Sequence, residues 1–126
     1  MRKRLFLLVL FFSALCSHRV LAMPRVSTSL SGTWQYVKVK SLEENLPQEG
    51  WQNLEVPGQI GGFRYERAWF RRNFDVPANW QGRKIWLRFG GLKWDSRVFV
   101  NGQNAGGELN GYNAFDLDIS KFVKFG

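Results

Sequence analysis

Cysteine and histidine are almost absent from this 126-residue chain: Cys16 and His18 are single occurrences. Both fall in an N-terminal stretch with the layout of a secretory leader. Arg2, Lys3 and Arg4 precede an apolar run from Leu5 to Leu15, and a more polar segment follows. The run is too short for a membrane anchor, because a bilayer core of about 30 Å needs about 20 helical residues. Val20-Leu21-Ala22 suits a signal peptidase, so residues 1–22 are expected to be a signal peptide and residues 23–126 one exported domain. A bulky Leu15 directly before Cys16 argues against a lipidation box. With the leader removed, disulfides, cysteine-ligated metals, histidine metal sites and a Ser-His-Asp triad are all excluded. No metal and no cofactor is expected.

A concentrated positive charge is also lacking. Removing Arg2, Lys3, Arg4 and Arg19 from the full-chain +8 leaves +4, spread along the sequence. The densest pair, Arg71-Arg72, alternates within a strand-like run, whereas nucleic-acid binders cluster their cations on one patch or helix face. No nucleic-acid partner is expected.

A helical 3.6-residue pattern never lasts beyond two turns, while period-2 alternation recurs between Gly, Pro and Asn. Strands are expected at Thr33–Val39, Gln52–Val56, Arg67–Val76 and Arg83–Gly90. Further strands are expected at Asp95–Asn101, Gln103–Ala105 and Ala114–Ile119. In the fourth of these strands Ile85, Leu87 and Phe89 face one way and Lys84, Trp86 and Arg88 the other. Asn101-Gly102 reads as a type I′ hairpin turn, since both central positions need positive φ. Asp118 or Ser120 can cap a single helical turn through Phe122. Ser41–Gly50 is the most loop-like segment, and Glu43-Glu44 within it reads as a solvated charge pair. Strands without helical crossovers imply antiparallel sheets, in an all-β sandwich of jelly-roll type.

Several pieces, in order, carry a resemblance. They are Leu30-Ser31-Gly32-Thr33-Trp34, Trp51 through Val56-Pro57-Gly58, Ala68 through Pro77, and Leu87-Arg88-Phe89-Gly90-Gly91 leading to Val98–Gly102. Gly106, Gly111-Tyr112, Phe115 and Asp118-Ile119-Ser120 follow. Together they resemble the N-terminal sugar-binding domain of family-2 glycoside hydrolases, the group of β-galactosidases, β-glucuronidases and β-mannosidases. The resemblance implies a galactose-binding-like jelly-roll β-sandwich that precedes an immunoglobulin-like domain and a catalytic (β/α)8 barrel. In that family the acid/base and nucleophile glutamates lie on the barrel. The family pattern continues past a segment like Asp118–Gly126 with a further long strand. The sandwich is therefore expected to lack its last strand or strands, and the catalytic domains to lie outside this fragment.

Retaining glycosidases place two carboxyl groups about 5 to 5.5 Å apart. Asp116 and Asp118 share a strand face at about 7 Å along the chain, yet a polar edge and an N-cap explain them better. No catalytic residue is assigned. Six tryptophans remain, and an indole can stack on a sugar ring while polar neighbours bind its hydroxyls. Trp34 and Trp69 match family positions that look structural, and Trp51 and Trp80 read as packing residues. Trp94 follows Gly90-Gly91 outside any alternation, so Trp94 and Asp95 are the first candidates for sugar contact. Asn110, Tyr112 and Asn113 come second, although Tyr112 also matches a family position that looks structural. The expected role is the non-catalytic accessory domain of an exported glycoside hydrolase acting on β-linked sugars. The alternative is a free-standing secreted carbohydrate-binding module.

Overall fold

The computed structural model describes residues 24–41, 45–62, 66–109 and 111–126. The expected signal peptide, Glu43-Glu44 and Asn110 lie outside these residues. Among the described residues the fold comprises seven strands and one short 3-10 helix. Strand β1 is Gly32–Val39, β2 Gln52–Val56 and β3 Arg67–Arg71. The helical turn Ala78–Trp80 follows. Then come β4 Trp86–Phe89, β5 Val98–Val100, β6 Gln103–Gly106 and β7 Phe115–Asp118. The strands form three antiparallel sheets, ordered β2-β1-β3, β4-β7 and β5-β6. The all-β sandwich expected from the sequence is the fold found.

Four strands are shorter than alternation suggests: β4 spans Trp86–Phe89 within the expected Arg83–Gly90 and β7 Phe115–Asp118 within Ala114–Ile119, and β3 and β5 are cut back by distant partners. Strand β3 ends at Arg71, five residues before Val76. At the next residue, the Arg72 guanidinium donates to the carbonyls of Leu30 and Ser31, both at 3.0 Å. Its side chain thereby ties the N-terminal segment to the end of β3. Strand β5 starts at Val98 rather than Asp95, because Ser96 is tied to the loop beyond the hairpin, as described below.

The core sits between the β4–β7 sheet and the β5–β6 hairpin. Val76, Ile85, Val100, Ile119 and Phe122 are buried together, with Leu87, Leu117 and Trp80 packed against them. Alternation running from Lys84 and Ile85 into β4 explains this placement: Ile85 is buried and Leu87 and Phe89 half-buried, while Lys84, Trp86 and Arg88 are exposed. Phe89 stacks on its cross-strand partner Phe115, with ring centroids 4.7 Å apart. The three-stranded sheet reaches the hairpin through Trp69, whose ring lies 5.7 Å from that of Phe99.

The Asn101-Gly102 turn forms as expected, with φ of 49° and 78° and Val100 paired to Gln103. Its side chain does more than tolerate the turn. Asn101 Nδ2 donates to the Phe122 carbonyl at 2.8 Å, pinning the hairpin to the C-terminal segment. There, Asp118 Oδ1 accepts from the Ser120 amide at 3.0 Å, and the Phe122 amide donates to the Ile119 carbonyl at 2.9 Å. The expected capped turn is thus present, with Asp118 as its cap.

Candidate functional site

Two loops meet beyond the ends of β4, β5, β6 and β7. One runs from Gly90 to Arg97 and the other from Gly107 to Ala114. Backbone hydrogen bonds lace them together: the Ser96 amide donates to the Glu108 carbonyl at 2.8 Å, and the Tyr112 amide to the Leu92 carbonyl at 2.7 Å. The Ser96 hydroxyl in turn accepts from the Glu108 amide at 3.1 Å. Gly111 is buried where the loops cross. A Cβ there would meet the Trp94 amide nitrogen at 2.8 Å and collide with the Leu92 carbonyl oxygen, so only glycine allows this approach.

The lacing brings together two aromatic residues 18 positions apart in the chain. The Trp94 and Tyr112 rings meet edge to face, with centroids 5.9 Å apart and planes at 64°. Both residues stand at positive φ, 63° and 89°, a conformation that costs a bulky side chain about 1–3 kcal/mol. The loop hydrogen bonds hold them there. Even so, Trp94 is 41% and Tyr112 64% exposed, so the strained backbone presents its aromatic side chains to solvent. An edge-to-face contact covers only one of the four ring faces, whereas a parallel stack would cover two.

Asp95 and Asn113, each next in sequence to one of the rings, are exposed. Four of the five candidate residues therefore lie on the two laced loops, and Asn110 is outside the described residues. What pairs the candidates is loop geometry, for which the sequence carries only an indirect signal in Gly111.

The carboxylates on β7 are engaged elsewhere. Asp116 accepts two hydrogen bonds from Arg88, at 2.7 and 2.6 Å, and Asp118 accepts one from Lys84 at 2.8 Å. The Arg88 hydrogen bonds hold Asp116 below the usual carboxylate range. Lys84, then Ser120, hold Asp118 further below it. A general acid needs the opposite shift.

A polar groove of about 350 Å³ lies on the three-stranded sheet, lined by Thr33, Gln35, Arg71, Arg72 and Asn73. Its cations already have partners. Arg71 donates to Gln35 at 2.9 Å and lies over the Trp51 ring at 3.8 Å, while Arg72 binds backbone carbonyls. The groove therefore reads as a structural seam. Trp34 and Trp51 are likewise anchored, each indole donating to a carbonyl four residues back, Leu30 at 2.7 Å and Pro47 at 3.1 Å. Among the described residues, no group of three or more His, Cys, Asp and Glu could hold a metal ion.

Comparison with known proteins bears on this geometry. Residues 63–126 match the sugar binding domain of glycosyl hydrolases family 2. A beta-galactosidase of Bacteroides ovatus is 25% identical over 129 residues, covering 87% of this chain and 15% of its own length. A beta-glucuronidase of Bacteroides fragilis is 36% identical over 62 residues, 49% of this chain and 8% of its own length. The crystal structure of Ruminococcus gnavus beta-glucuronidase superposes with a TM-score of 0.65 at 27% identity, over 79% of this chain and 19% of that one. The chain thus spans less than a fifth of the length of each of these relatives. With its strand order, its Asn-Gly hairpin and this matched segment, the chain belongs to glycosyl hydrolases family 2 and carries the sugar binding domain of that family.

Proposed function

We propose that this domain is the non-catalytic, sugar-contacting part of an exported glycoside hydrolase acting on β-linked sugars, and that hydrolysis is carried out by a separate catalytic domain. The observation that carries the reading is the Trp94–Tyr112 pair, held open to solvent on two hydrogen-bonded loops. A pyranose ring presents C–H groups on its face and hydroxyls at its rim. An indole or phenol face takes up the first, and the neighbouring Asp95 and Asn113 side chains can take up the second.

Because the loops are laced before any ligand arrives, little ordering cost is left for binding. The similarity to beta-galactosidases and beta-glucuronidases supports β-linked substrates. The basic start and apolar run of residues 2–15 support export.

Incubating the purified full chain with a panel of nitrophenyl β-glycosides tests the catalytic half of the proposal. No release of nitrophenol is expected. Turnover that persists through stringent purification and co-elutes with the chain would overturn it.

A further inference from the structure

The outer face of the β4–β7 sheet carries a feature that the loop site does not use. Alternation sends Trp86 and Arg88 outward from β4 and Lys84 outward just before it, and the register sets Trp86 opposite Asp118 and Arg88 opposite Asp116 on β7. Trp86 is 58% exposed. On one side of it Lys84 binds Asp118 at 2.8 Å, and on the other Arg88 binds Asp116 at 2.6 Å. Alternate residues on a strand are about 7 Å apart, so along its own segment the exposed indole is flanked by the cations of the two ion pairs. The Arg88–Asp116 pair also lines a groove of about 260 Å³ with Ala114 and Phe115.

We propose that this face is a second carbohydrate platform, on which a pyranose ring of an uncharged glycan stacks on Trp86 and hydrogen-bonds to the two flanking ion pairs. Three features of the face select this occupant. First, the charges cancel, two cations against two carboxylates, and each cation already holds a carboxylate. An anionic ligand would have to displace one of them. Second, the large exposed apolar group is one ring hemmed by charge, with Ala114 and Phe115 in the adjoining groove, whereas the centre of a protein interface is depleted of charged residues. Third, the bidentate Arg88–Asp116 pair holds both donors and acceptors in fixed positions. Sugar hydroxyls, which both donate and accept, suit that arrangement.

Affinity electrophoresis of the full chain tests the platform, with galactomannan, xyloglucan or hydroxyethylcellulose in the gel and polygalacturonate as the anionic comparison. At least one neutral glycan should retard the chain. Trp86→Ala, compared in a Trp94→Ala background that removes the loop contact, should weaken the remaining retardation at least ten-fold with an unchanged circular dichroism spectrum, while Trp86→Tyr in the same background should leave it largely intact. The shared background separates this face from the loop site. Asp116→Asn provides a second readout that does not depend on Trp86: by freeing the Arg88 charge it should shift preference toward polygalacturonate. No retardation by any neutral glycan, retardation indifferent to Trp86→Ala, stronger binding of polygalacturonate by the unaltered chain, or an Asp116→Asn variant of unchanged preference would each overturn the proposal. So would self-association in sedimentation that Trp86→Ala abolishes.

Discussion

Tyr112 donates its backbone amide to the Leu92 carbonyl at 2.7 Å and sets its ring edge to face with that of Trp94 at 5.9 Å. One loop therefore holds the other by its backbone while the aromatic side chains stay outside. Such contacts are worth about 0.5–1.5 kcal/mol beyond the area they bury. A double-mutant cycle of Trp94→Ala and Tyr112→Ala, read by urea unfolding, should give a coupling energy in that range. A coupling near zero would mean that the rings are neighbours without being partners.

Gly111 should be among the least replaceable residues of the two loops, together with Gly107, whose Cβ would collide with the Ser96 carbonyl. Gly111→Ala forces its Cβ into the Leu92 carbonyl, and overpacking of this kind costs about 1–3 kcal/mol. The expected outcome is a lowered melting temperature together with a changed near-ultraviolet dichroism, as the Trp94 and Tyr112 environments loosen. A wild-type spectrum would show that the loops can separate without disturbing the rings.

The small core makes single positions decisive. Ile119 is 1% exposed, and truncating a buried Ile to Ala costs about 2–5 kcal/mol. A small domain has about 5–15 kcal/mol in total. Ile119→Ala should thus lose a large share of its stability, which equilibrium unfolding in urea measures. Trp86→Ala, on the exposed face of the neighbouring sheet, should lose far less.

At the hairpin, two roles of Asn101 can be separated. Asn101→Gly keeps the positive φ and removes only the hydrogen bond to Phe122, so it should cost about 0.5–1.5 kcal/mol. Asn101→Ala loses the same hydrogen bond but keeps a Cβ in the left-handed region without the local hydrogen bonding that lets Asn tolerate it, adding about 1–2 kcal/mol. Denaturant midpoints should therefore fall in the order wild type, Gly, Ala. The reverse order of the two variants would refute the turn assignment.

Acid stability should depend on Asp118. Its folded pKa is held well below the usual carboxylate range, mainly by hydrogen bonds from Lys84 and Ser120. A depressed folded pKa contributes stability above the unfolded pKa and loses it as pH falls below that value toward the folded one. The urea midpoint should hence fall as pH drops from about 5 toward 2. Asp118→Asn should make that fall shallower. An unchanged slope in the variant would place the acid sensitivity elsewhere.

Much of the fold was legible because strand alternation is a local property. From Lys84 through β4 the buried Ile85 and half-buried Leu87 and Phe89 separate from the exposed Lys84, Trp86 and Arg88 as their parity requires. Asn-Gly chemistry alone fixed the hairpin. Alternation failed at strand ends, where distant partners decide. Arg72 donates to carbonyls some forty residues earlier in the chain, and Ser96 pairs with Glu108, so β3 stops early and β5 starts late. The same limit applies to the site. Trp94 stood out as an aromatic outside any alternation, but its meeting with Tyr112 depends on a loop crossing that only a buried glycine hints at.

The most direct test of the sugar-contact account follows the indole N–H signals of the full chain by NMR while β-linked galacto- and glucurono-oligosaccharides are added. The account predicts that the Trp94 signal shifts saturably, and that Trp34 and Trp51, whose indoles donate to the Leu30 and Pro47 carbonyls, stay in place. A saturable shift of Trp34 or Trp51 with Trp94 unmoved would contradict it.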